Sequence, residues 1–299
     1  MSLTPPLTPM LLEKTQKPFD SKDYLFEYKW DGFRCLLFYS ANEIYLQSRK
    51  GKNLSAFFPE INNLKNLFHT NKLILDGELC YLQQKASGFA LLLKRLKRRE
   101  NPLMSYPPVT FIVWDILCCD NEIYLKEPLL KRKEFLKNSI TEEKDKLYIS
   151  PFLLYQGNKI YKTARENNME GIIAKKINSP YRLKRSSDWL KIKIWNYREA
   201  IICGYSPDLC SILIGEQDKK SNKLISRGRV KTAFAPEQKD ILEKFLPLIQ
   251  CDSFPSEFSG YDNIMPVKPV LKCKIKYREI SAQGKLRHGV AVKILDMNQ

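Results

Sequence analysis

The sequence predicts an α+β chain of two domains: a larger N-terminal one, 1–195, of antiparallel sheets with flanking helices, and a smaller all-β barrel, 196–299. Three observations carry this. Up to about residue 195, short strands of period two, such as YLFEYKW and KLILDGELC, alternate with amphipathic helical stretches. Near Trp195 the texture changes to short strands, AIICGYS, ILIGE, RGRVKTAF, LKCKIKYREI and VAVKIL, interrupted by one helix over Pro236–Ile249. The length, 299 residues at 43% hydrophobic content, suffices for two packed cores.

Taken in order, the proline-rich MSLTPPLTPM predicts an extended lead-in across a surface. In EYKWDGFR, Glu27–Arg34, alternation sets Phe26, Tyr28 and Trp30 against Glu27, Lys29 and Asp31, as in a half-buried strand. Lys29 has a chemical use. Once desolvation or a neighbouring cation deprotonates it, the amine can attack an electrophile and form a covalent intermediate. Gly32 permits a tight turn, and Arg34 is placed to steer an anion or a sugar hydroxyl. An exposed strand end with ordinary surface charges fits the same residues. CLLFYS and EIYLQSR predict a hairpin at Ala41 and Asn42 with Arg49 at its exit, and Pro59 to about Phe68 predicts a helix.

KLILDGELC turns Ile74, Asp76 and Glu78 to one face, so two carboxylates point the same way. Phe89–Glu100, apolar and then basic, predicts a helix whose charges serve either solvent or nucleic acid. TFIVWDIL sets Ile112, Trp114 and Ile116 opposite Val113 and Asp115; a tryptophan there fits the core or a stack on a base. LLKRKEFLKNSI and KIYKTAREN predict amphipathic helices covering the sheet. EGIIAKK, Glu170–Lys176, brings one carboxylate and two lysines. In WLKIKIW, Lys191 and Lys193 share a face, which is costly on a buried strand unless an anion pairs with them.

The formal charge of +17, fifty basic against thirty-three acidic side chains, predicts a polyanionic partner, nucleic acid rather than membrane. No apolar run approaches the roughly 20 residues of a membrane span, and a cytoplasmic, nucleoid-associated protein is expected. The eight cysteines form no CxxC pair and predict reduced thiols. Only two histidines, His69 and His288, weigh against histidine metal sites and a Ser/His/Asp mechanism. Any metal would be held by carboxylates and phosphates, which suits magnesium.

In order and spacing, KWDGFR (Lys29–Arg34), SRKG around Arg49, DGE (Asp76–Glu78), WD at Trp114, EGIIAKK and LKIK resemble the motifs of the covalent nucleotidyltransferases, specifically the ATP-dependent DNA ligases. PFDSKDYLFEYKWDGFR, RGRVKTAF and GKLRHG are similar to the stand-alone ligase C and the ligase module of ligase D of bacteria. The likeness runs from about Pro9 to Asp296. It implies a nucleotidyltransferase (adenylation) domain followed by an OB-fold, and an enzyme that seals 5′-phosphate/3′-hydroxyl breaks through a lysyl-AMP and a DNA-adenylate.

By this resemblance Lys29 attacks the α-phosphate of ATP, Glu27 contacts the adenine and Trp114 stacks on it. Arg34 and Glu78 hold the ribose, Arg49 lies near the phosphate or sugar, and Lys175 joins the nucleotide contacts. Lys191 and Lys193 grip the α-phosphate. Glu170, with Glu78, binds magnesium, or manganese in its place. Nicked or broken duplex DNA, a Ku-type end-joining protein and a monomeric state are implied. The tail departs from the family: Lys293 and Asp296 correspond to its last motif, but the arginine expected near Leu295 is absent, which puts efficient self-adenylation in doubt. RNA ligases and GTP-using capping enzymes share the lysine motif, and a non-catalytic basic nucleic-acid-binding protein would share the charge. An NAD-dependent ligase is disfavoured, since that group's zinc cysteines are missing.

Overall fold

The computed structural model describes residues 3–295 apart from 16, 83–87, 98–105, 141–145, 219–220, 222, 255–257, 259 and 282. Two compact units emerge, Met1–Ile194 and Trp195–Gln299. The first runs β1 (Leu11–Thr15), β2 (Tyr24–Tyr28), β3 (Phe33–Ser40), β4 (Glu43–Ser48), β5 (Lys72–Cys80), α1 (Gly88–Lys97), β6 (Thr110–Cys119), β7 (Glu122–Ile123), α2 (Leu129–Asn138), β8 (Leu147–Ile149), β9 (Phe152–Leu154), α3 (Gly157–Glu166), β10 (Gly171–Lys176) and β11 (Arg185–Lys193). One sheet has the order β1-β11-β10-β2-β9; the other has β4-β3-β5-β6-β7, with β8 beside β6. Pairing is antiparallel except at β1–β11 and β6–β8.

Period-two strands sort the core into layers. Leu25 of the first sheet meets Leu36, Phe38, Ile74 and Trp114 of the second, so these residues fill the space between the sheets. Leu37, Leu73, Leu75, Phe111 and Val113 form a core on the far side of the second sheet. Phe26, Ile172, Ala174 and Ile192 pack with Ile160 and Ala164 of α3 on the far side of the first. Consequently β2 is not half-buried as expected: Leu25, Phe26 and Glu27 are all buried, because β2 is interior to its sheet and both its faces are covered.

The hairpin at Ala41–Asn42 forms, with φ of 51° and 65° at the two turn residues, the positive values that a twisted two-residue connection requires. The helix expected over Pro59–Phe68 is a 3-10 helix, Pro59–Leu67, in a stretch where Asn62 and Asn63 favour local side-chain bonding over an α-turn. In α1 the basic run is not uniformly outward: Arg95 is buried, with its guanidinium on Glu60 at 2.8 and 2.7 Å. Residues 98–100 of that run lie outside the described residues. On β6 the strict alternation fails. Gly77 pairs with Val113 and Asp76 with Asp115, so the register slips at Trp114, and it slips again at Leu117. Ile116 therefore shares the core of Val113 rather than the side of Trp114.

The second unit runs β12 (Asn196–Tyr205), β13 (Ser211–Gln217), β14 (Leu224–Thr232), α4 (Pro236–Phe245), β15 (Met265–Pro266), β16 (Lys272–Tyr277), β17 (Glu279–Ile280), β18 (Leu286–Arg287) and β19 (Val290–Ile294). Because β12 pairs with both β13 and β16, the strands β12-β13-β14-β19-β16 return on themselves in an OB-like ring. Ala200, Ile202, Ile212, Ile214, Cys273 and Ile275 supply its core. The expected Pro236–Ile249 helix is α4 followed by a 3-10 turn, Leu246–Ile249. Lys293 is on β19, and Asp296 lies outside the described residues. All eight cysteines are free thiols, and among the described residues no helix is long and apolar enough to cross a membrane.

Candidate active site

The polar site occupies the space between the two sheets of the first unit, where the inward faces of both stop being apolar. On the first sheet Glu27 pairs in register with Ile173, and Ile173 with Lys191, so Glu27, Lys175, Lys191 and Lys193 fall on one face by alternation. Lys29 follows the end of β2, and its backbone N–H donates to the carbonyl of Gly171 at 2.9 Å. Its side chain is 20% exposed and is ion-paired with Glu170. Lys193 holds the other oxygen of Glu170 at 3.1 Å. One buried carboxylate thus joins two lysines, one just past the end of β2 and one on β11.

Lys191 is half-buried, and its ammonium is held below the usual lysine range, first by burial and then by Lys14, Lys193, Lys29 and Arg185. Such crowding of cations is relieved by an anion.

On the second sheet Arg34 and Glu78 are direct cross-strand partners. Arg34 is committed to Asp76, through Nε at 3.0 Å and a terminal nitrogen at 2.6 Å. Asp76 also accepts from the hydroxyl of Tyr181 at 2.8 Å. Glu78 faces Lys29 and Glu170. Its carboxyl is pushed up to about 8 by burial, with Lys29 and Arg34 pulling the other way and Glu170 and Asp76 adding repulsion. Glu170 and Glu78 thus bring two carboxyl groups into one cleft. Among the described residues, however, no three His, Cys, Asp or Glu side chains gather as ligands for one ion.

Deeper in, Glu27 is buried between the ammonium groups of Lys133 and Lys175, the latter at 2.6 Å. Lys175 lies 4.2 Å from the ring centre of Trp189 and 5.3 Å from that of Trp114. Trp114 is only 6% exposed, and Arg34 also lies over its ring, at 5.6 Å. Among the described residues its indole N–H, like that of Trp189, has no hydrogen-bond partner. The structure thus gathers Glu27, Lys29, Arg34, Glu78, Trp114, Glu170, Lys175, Lys191 and Lys193 on facing sheets. Arg49 is exposed in the turn after β4, closed by the Gly51 N–H on the carbonyl of Ser48 at 2.9 Å.

Three residues of this network were not singled out by sequence reasoning. Lys133 reaches Glu27 from α2, Tyr181 bonds Asp76, and Arg132 clamps the buried Asp115 at 2.8 and 2.9 Å. For Lys133 and Arg132 the available signal was their inward position on an otherwise basic helix; for Tyr181 there was none.

Residues 8–193 match the family described as ATP dependent DNA ligase domain. The chain is 30% identical over 282 residues to the SPbeta prophage-derived DNA ligase-like protein LigB of Bacillus subtilis, covering 94% of this chain and 96% of that one. To DNA ligase C1 of Mycolicibacterium smegmatis it is 27% identical over 317 residues, covering 97% and 90%. Among solved structures it is similar to a mycobacterial DNA ligase D complexed with ATP and MES, at TM-score 0.56 and 25% identity over 97% of this chain and 95% of that one.

Proposed function

The chain belongs to the ATP-dependent DNA ligase family, and from that premise we propose how its own residues divide the sealing of a break in duplex DNA. One observation carries the reading: the Lys29 ammonium sits on Glu170, whose other oxygen holds Lys193, in the cleft that Glu78 faces. Lys29 is the nucleophile. Its proton must leave before attack, and Glu170 is the nearest acceptor. The nitrogen then bonds to the α-phosphorus of ATP while the bond to the β-phosphate breaks and pyrophosphate departs with the electron pair. Lys191 and Lys193 take the growing charge on the α-phosphate, an anion that also relieves their mutual repulsion. AMP next passes to the 5′-phosphate at the break, and the neighbouring 3′-hydroxyl displaces it.

Glu27, fixed by Lys133 and Lys175, contacts the adenine, and Arg34 with Glu78 holds the ribose. Base stacking on Trp114 requires the packing of Arg34 and Lys175 over its ring to open. Arg49 steers the phosphates from the rim. Glu170 and Glu78 would hold magnesium, or manganese in its place. Such an ion supplies charge neutralisation for the departing phosphates. The protein works as a monomer on nicks or ends. The end-joining names of the mycobacterial LigD relatives favour a Ku-type partner, and sealing of a linear duplex that no Ku homologue stimulates would remove that part.

The test is intact mass after incubation with a divalent cation and ATP, GTP or NAD, on protein first stripped with pyrophosphate. An AMP adduct is expected with ATP alone and is lost in Lys29→Ala. No adduct with any nucleotide, together with failure to seal a nick carrying a preformed 5′-adenylate, would overturn the catalytic reading. Sealing of that nick without adduct formation would instead place the defect in the first step, for which the arginine expected near Leu295 is absent.

A further inference from the structure

The outer surface of the ring in the second unit carries a pattern of which the sealing chemistry claims only Lys293, the residue of the family's last motif. On β16, Cys273, Ile275 and Tyr277 point into the core, so Lys272, Lys274 and Lys276 point out. On β12, Ala200 and Ile202 point in, so Tyr197 and Glu199 point out, and Tyr197 is 57% exposed. Tyr197 stands directly across from Lys276, and Glu199 across from Lys274. Each lysine leans diagonally over an aromatic ring: Lys274 lies 5.3 Å from the ring centre of Tyr197, and Lys276 lies 5.4 Å from that of Trp195.

On the other side of β16, Lys274 stands directly across from Lys293. Like charges in direct register destabilise a sheet, and Glu199 can offset only part of this. The arrangement therefore favours a bound polyanion. An exposed tyrosine adds a second requirement. Phosphates alone need lysines, whereas an open ring among them suits a stacked base, and bases present their faces only where a strand is unpaired.

We propose that the outward face of β12, β16 and β19, centred on Tyr197, binds an unpaired DNA strand, with a base stacked on Tyr197 and the strand's phosphates on Lys274, Lys276 and Lys293. The proposal concerns binding and not the attack by Lys29, so it stands or falls independently of the catalytic reading. It would hold the single-stranded tail of a broken end, and an intact nick offers it nothing to stack.

Fluorescence anisotropy of the full chain with a labelled oligothymidylate of about sixteen nucleotides, the upper site size for such a domain, tests this, with a fully paired nicked duplex as the comparison. Tyr197→Ala is expected to weaken oligothymidylate binding about tenfold or more and to leave duplex binding within about twofold, while Tyr197→Phe, which keeps the ring, retains both. Lys274→Glu is expected to weaken the oligothymidylate more than the duplex. Equal loss on both substrates in Tyr197→Ala, no loss on the single strand, or a Tyr197→Phe protein as weak as Tyr197→Ala would overturn the proposal. Unchanged thermal melting of the variants confirms that each is folded.

Discussion

Two ammonium groups, Lys133 and Lys175, share the single carboxylate of Glu27 in a buried place, so the trio is net positive when fully ionised. Burial pushes the Lys175 ammonium down to about 8 from its ordinary 10.5, more strongly than Glu27 holds it up. The native state thus gives up this proton near pH 8, while the unfolded chain keeps it to 10.5. Between those values the unfolded state binds more protons, so this group makes stability rise with pH across the window and is without effect on the slope below it. Urea unfolding between pH 8 and 10.5 should therefore give a stability–pH slope that is more positive in the wild type than in Lys175→Met, set against the fall that the burial-raised thiols and phenols of Cys35, Cys203, Cys273 and Tyr181 contribute to both. Asp76 gives a complementary case, because its carboxylate satisfies the nearly buried guanidinium of Arg34. Asp76→Ala should cost about 3–5 kcal/mol by leaving that charge unpaired, measured as a fall in the urea midpoint. An unchanged midpoint would mean that water reaches Arg34.

At the scale of elements, Gly32 and Gly171 let strands approach where the site is built. A Cβ on Gly32 would lie 2.2 Å from the carbonyl oxygen of Leu79, a backbone atom that cannot step aside. Gly171 has φ +152° and a similar conflict, at 2.1 Å, with the carbonyl of Ile192, and its own carbonyl receives the Lys29 N–H. Gly32→Ala should destabilise by about 1–3 kcal/mol, the range for overpacking, and lower the yield of AMP adduct, read by thermal melting and intact mass. The strands carrying these residues were legible because period-two alternation survives wherever one face meets a core: Leu73 and Leu75 part from Ile74 as expected. The slip at Trp114 was not legible, since pairing with β5 decides it. Nor were β8 and β9, three residues each, too short for a pattern to register. The Lys133–Glu27 pair joins residues 106 apart in sequence, and no local signal encodes such a contact.

For the whole molecule, the motif order placed the candidate site residues in one chain region, and the fold brings all but Arg49 onto the facing sheets. The surplus of basic side chains, +17 overall, has no counterpart in the site, where a handful of lysines is already engaged with Glu27 and Glu170. Most of the excess is therefore available to DNA phosphates, and its contribution is the release of condensed counterions. Affinity for a nicked duplex should fall linearly on a log–log plot against salt, by about 10³-fold or more between roughly 50 and 200 mM if six or more phosphates are neutralised. An unpaired strand condenses fewer counterions, so for the same number of contacts its slope should be shallower, near 0.7 rather than 0.9 per phosphate. Anisotropy titrations of both substrates across this range measure the two slopes. A salt-insensitive duplex affinity would show that shape, not charge, holds the DNA. Charge reversal of Lys274 that flattens the single-strand slope but not the duplex slope would assign the two strands to different faces of the protein.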